Sequence, residues 1–125
     1  MLTRDIPQQD WQSFFDMFSR QHEGWRATVA TLGGDVVGVG LEARGMPLGG
    51  VTLDITDGNR AIAIMLGDKD SGHLTHVVGK PKYVRLRQSE EGAHEALIIE
   101  SADGTITILR FRSTMLPEML DGVLP

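Results

Sequence analysis

Trp11, Phe14, Phe15 and Phe18 recur at the i, i+3, i+4, i+7 spacing of one helical stripe. Pro7 suits a first helical turn. Gly24, just past Gln21, His22 and Glu23, suits the left-handed residue that ends a helix. The spacing therefore predicts a helix over residues 7–23. From Trp25 onward the apolar period falls to 2, the alternation of strands. Arg26–Leu32 and Val36–Arg44 flank Gly33-Gly34, a pair suited to a tight hairpin. Val37, Val39, Leu41 and Ala43 share one face of the second strand, while Gly38 and Gly40 leave the other bare. The helix is expected to lie over those glycines.

A turn is expected at Gly45-Met46-Pro47-Leu48-Gly49, followed by a strand in which Val51, Leu53 and Ile55 alternate with Thr52, Asp54 and Thr56. Asp57-Gly58 turns the chain. Ile62, Ile64 and Leu66 then alternate with Ala61, Ala63 and Met65, both sets apolar, which predicts a central strand covered on both faces. His73–Val78 and Tyr83–Gln88 are strands on either side of Gly79-Lys80-Pro81. Glu95–Ser101 and Thr105–Arg112 form a hairpin through Ala102-Asp103-Gly104. The tail, residues 113–125, holds a helical turn at Pro117-Glu118-Met119-Leu120. The fold class is α+β, mostly β: an amphipathic N-terminal helix followed by about eight short antiparallel strands curled into a small barrel or sandwich.

At 125 residues the chain fits one domain, residues 1–125, with a core large enough to fold without disulfide or metal. No cofactor is called for. The absence of cysteine excludes disulfides, thiolate nucleophiles and zinc ribbons. The first residues lack the apolar core of a signal peptide, and no stretch approaches the ~20 apolar residues of a membrane span. A cytoplasmic protein with no membrane partner is the expectation. A formal net charge of −5 disfavours general nucleic-acid binding.

Three groups of residues carry candidate chemistry. Asp68, Asp70, His73 and His76 offer oxygen and nitrogen ligands for a metal-dependent hydrolase, although a strand would point His73 and His76 to opposite faces. Tyr83, Arg85 and Arg87 share one strand face and Arg110 and Arg112 another. Together they offer a basic, stacking surface for an anionic ligand, opposed by nearby Glu90, Glu91, Glu95 and Glu100. His22, Glu23 and Trp25, at the helix-to-strand junction, either line a pocket or simply cap the helix, with His22 favouring its C-terminal dipole. Ser13, Ser19 and the other serines sit in no nucleophile-elbow pattern, and no catalytic residue is assigned.

The run Asp10-Trp11, Phe14-Phe15, Phe18-Ser19-Arg20, His22-Glu23-Gly24-Trp25, then Met46-Pro47-Leu48, Ile64-Met65-Leu66-Gly67-Asp68, His73-Leu74-Thr75-His76 and Leu109-Arg110-Phe111-Arg112 resembles a family of short bacterial proteins classed as a domain of unknown function. The resemblance spans Ile6 to about Gly122 and implies a bacterial source without an activity. The residues themselves point first to a non-catalytic binding domain. It would join a second copy or another protein through a sheet edge or face, or take a small ligand. An RNA- or nucleotide-binding Sm-like barrel is the alternative, and the metal-dependent hydrolase the next.

Overall fold

In the computed structural model, which describes residues 2–34, 38–70 and 72–111, the aromatic stripe forms helix α1, Trp11–His22, entered through one 3-10 turn at Gln8–Asp10. Gly24 adopts φ +84°, and its N–H bonds the Leu48 carbonyl at 2.8 Å while Trp25 N–H reaches back to His22. A residue with a Cβ would be strained there. Trp11, Phe14, Phe15 and Phe18 are buried, and His22 continues the stripe by one turn. The Trp11 indole N–H donates to the Ile6 carbonyl at 2.9 Å, so the ring enters the core with its polar atom satisfied.

The strands are β1 Leu2–Ile6, β2 Arg26–Leu32, β3 Val39–Thr56, β4 Asn59–Asp68, β5 Gly72–Gly79, β6 Pro81–Gln88, β7 His94–Ser101 and β8 Ile106–Phe111. All pairings are antiparallel, in one sheet ordered β1-β6-β7-β8-β2-β3-β4-β5. The sheet curls until β4 and β5 approach β6 and β7 but does not close, leaving β1 and β5 as edges. Among the described residues no helix is long and apolar enough to cross a membrane.

Three expectations change, and one strand is new. The turn expected at Gly45–Gly49 is the middle of one long strand: residues up to Pro47 pair with β2, and Leu48 onward pairs with β4. Pro47, which has no N–H to give, marks the handover. β1 has no apolar alternation to announce it, because Leu2 to Asp5 are exposed and, among the described residues, pair with β6 alone. The helix crosses β3 at Gly50 and Val51, not at Gly38 or Gly40. The Ser19 hydroxyl accepts from Val51 N–H (2.8 Å) and donates to Val51 O (3.0 Å), and a Cβ on Gly50 would lie 3.5 Å from that oxygen. Finally, β4 lies one place in from the edge, with Ala61, Ala63 and Met65 only half-buried. The C-terminal turn at Pro117–Leu120 and the strand start at Val36 and Val37 lie outside the described residues.

The concave face of the sheet and the helix stripe form one core. Along β2, β8 and β7 the inward residues run Ala27-Val29-Thr31, Phe111-Leu109-Thr107 and Leu97-Ile99-Ser101. The helix covers the apolar end of this face.

Candidate functional site: an imidazole-lined cleft

Where α1 ends, His22 is 2 % exposed, and its Nδ1 lies 2.7 Å from the Phe18 carbonyl oxygen. A carbonyl only accepts, so Nδ1 carries the hydrogen. Burial pushes the His22 pKa down to about 4, with the nearby His94 acting in the same direction, so the ring is neutral at pH 7. Its Nε2 is therefore a bare acceptor. That atom lies 2.9 Å from His94 Nδ1, which must donate. The His94 pKa is likewise lowered, by burial and then by Arg4. One direction of hydrogen bonding results, from His94 to His22 to the backbone, and the remaining His94 nitrogen, Nε2, is an acceptor with a fixed tautomer.

His94 reaches this position through a bulge. Leu86 pairs with Leu97 and Arg87 with Ala96, but Gln88 pairs with His94, so Glu95 is an extra residue in β7. Without it, simple alternation from Leu97 would turn His94 to the outer face. Bulges re-aim side chains in this way next to functional sites. The β6–β7 loop is tied by Ser89, whose hydroxyl accepts from Ala93 N–H at 3.0 Å and whose N–H donates to Ala93 O at 2.9 Å.

Aromatic rings fix the imidazoles. Phe111 stacks on His22 with centroids 4.7 Å apart and planes 17° apart, Trp25 meets it edge-on at 4.6 Å, and Phe18 lies 4.3 Å away. The result is a cleft of about 380 Å³ lined by Gln21, His22, Trp25, Gly92 and His94. That is within the range of small-molecule sites. Its described lining holds no hydroxyl, thiol or carboxylate, so it offers an aromatic wall and one directed acceptor rather than a nucleophile.

His22 and Trp25 thus line a pocket, and His22 also caps the helix, as a neutral donor rather than a cation on the dipole. Glu23 is exposed and does not line the cleft. Tyr83, Arg85 and Arg87 project from the outer face of β6. Arg110 projects from β8, with Ala96 between Arg87 and Arg110. Arg85 is held by Asp5 (2.9 Å) and Glu100 (3.4 Å) and lies 4.8 Å from the Tyr83 ring centroid, so carboxylates are interleaved with this stripe. Arg112 lies outside the described residues.

Of the four suggested metal ligands, Asp68 takes the Asp70 backbone N–H at 2.9 Å in the β4–β5 turn. His73 is exposed on β5, whereas His76, three residues on, is half-buried on the opposite face, 3.9 Å from Glu42. Among the described residues no group of three or more His, Cys, Asp or Glu side chains is placed to hold a metal.

The fold and cleft define a small, mostly-β protein: an open curled sheet with a helix across one end and a concave site beside it. The chain belongs to a family of unknown function, DUF5335, whose sequence profile matches residues 2–119, in agreement with the resemblance read from the residues. No curated protein and no solved structure matches it.

Proposed function

We propose that this protein is a non-catalytic binding domain that holds a small planar molecule in the cleft between α1 and β7. The ligand's ring packs against Trp25, and its N–H or O–H donates to His94 Nε2. The hydrogen-bonded His22–His94 pair supports this reading: a β-bulge and a buried aromatic cage together present one acceptor of fixed direction. Indole and N-methylindole test it, because they differ in the donor alone. In an NMR titration indole is expected to bind about tenfold more tightly, the loss of one hydrogen bond to a half-buried acceptor, and His94→Ala should erase the difference. Equal affinity of the two probes in the native protein would refute the reading.

A second reading, self-association, is favoured by the outer face of the sheet. Val39, Leu41 and Tyr83 are 70 %, 52 % and 42 % exposed there. Leu32, Ile98, Ile106 and Ile108 lie between them, half-buried and outside the core. Arg87 and Arg110 lie at one end of this face, and at the other Glu100 is paired with Arg85. Stacking two copies about a two-fold axis buries this apolar centre. Light scattering should show a concentration-dependent dimer that Leu41→Glu abolishes without loss of fold. A monomer at every concentration would remove this reading.

A further inference from the structure

The sheet has a second concavity at the end away from the helix. There the three inward rows of β2, β8 and β7 switch from Val29, Leu109 and Ile99 to Thr31, Thr107 and Ser101, which are 5 %, 1 % and 7 % exposed. The three hydroxyls sit on the wall of a cup of about 500 Å³, completed by Glu42 of β3 and His76 of β5. The Thr31 hydroxyl donates to Glu42 at 3.3 Å, while no described residue takes the hydroxyls of Ser101 and Thr107. Both residues are buried, yet neither oxygen is shut away from solvent, so the two hydroxyls are open to a molecule in the cavity they line. Glu42 and His76 face each other across 3.9 Å, too far for a hydrogen bond and near enough for one ligand hydroxyl to bridge them.

We propose that this cup is a binding site for a small, uncharged, polyhydroxylated molecule, a polyol or simple sugar. Each wall hydroxyl both donates and accepts, as each ligand hydroxyl does, so the two sets match without requiring charge. Charges of both signs stand at the cup, Glu42 and Asp103 with Lys80 among them, which gives a strongly charged ligand of either sign little advantage. Val78, on the same face of β5 as His76, supplies the apolar side that the C–H face of such a ring packs on. This site lies outside the imidazole cleft and stands or falls separately from it.

The test is an NMR titration of the whole protein with myo-inositol, glucose and glycerol, with putrescine and citrate as charged comparisons. Saturable shifts at Thr31, Ser101 and Thr107 are expected from at least one polyol and not from the charged probes. Thr107→Val keeps the side-chain shape and removes one hydroxyl. It should weaken that polyol about tenfold and leave indole binding in the other cleft unchanged. A Ser101→Ala protein provides the same test should Thr107→Val fold poorly. Absence of saturable binding by all three polyols, tighter binding of a charged probe, or polyol affinity unchanged by both substitutions would overturn the proposal.

Discussion

Phe18→Ala is expected to lower the free energy of unfolding by about 4 kcal/mol, the range for removing a fully buried ring. Phe18 is 0 % exposed, and its ring centroid lies 5.6 Å from Phe14, 5.8 Å from Phe111 and 4.3 Å from His22. It therefore joins the helix stripe, the inner face of β8 and the imidazole pair. Alanine leaves a cavity under His22, so the loss of stability should come with loss of indole binding. Phe18→Leu, which fills most of the space, should cost under about 1.5 kcal/mol. Urea unfolding followed by tryptophan fluorescence measures both. A Phe18→Ala protein within 1 kcal/mol of the parent, on the order of a surface change, would contradict the packing.

The second large effect is a loss of stability in mild acid. His22 is neutral in the folded state, with a pKa of about 4, against 6.5 when exposed. As pH falls the unfolded chain takes up the proton first, so this contribution is complete above pH 6.5 and lost progressively down to pH 4. The gap amounts to about 3 kcal/mol in all, of which roughly 2 kcal/mol is lost between pH 7 and 5. His94, lowered in the same direction, adds to the slope. Unfolding curves across that window should show the decline, and His22→Phe, which keeps a stacking ring, should flatten most of it. An unchanged slope in that variant would mean that His22 is not held neutral by the fold.

Local signals made most of the fold legible. The aromatic stripe placed α1, and alternation placed the cores of β2, β4, β6, β7 and β8. Asp57-Gly58, with φ of 52° and 77°, forms the tight hairpin its residues call for. What alternation could not show was anything decided by a partner distant in sequence. β1 is a strand because β6 pairs with it, and β3 passes through Pro47 unbroken because it exchanges one neighbour for another. The helix chose Gly50 over Gly38 and Gly40 because Ser19 finds the Val51 backbone there.

The cleft divides the same way. His22 and Trp25 flank a visible helix end and were legible as pocket candidates. His94 was not, because the period-2 rule turns it outward, and only the extra residue Glu95 brings it in. The cup residues were hidden for a related reason: Thr31, Ser101 and Thr107 read as ordinary strand positions until β5 folds over opposite them.

The measurement that bears most directly on the binding reading is a long-range proton–nitrogen correlation of the imidazole rings at pH 7, recorded with and without indole. The account predicts hydrogens on Nδ1 of both His22 and His94, both Nε2 atoms bare, and indole shifting the His94 Nε2 resonance. A hydrogen on His94 Nε2, a charged ring at pH 7, or saturation with indole that leaves His94 Nε2 unmoved would contradict it.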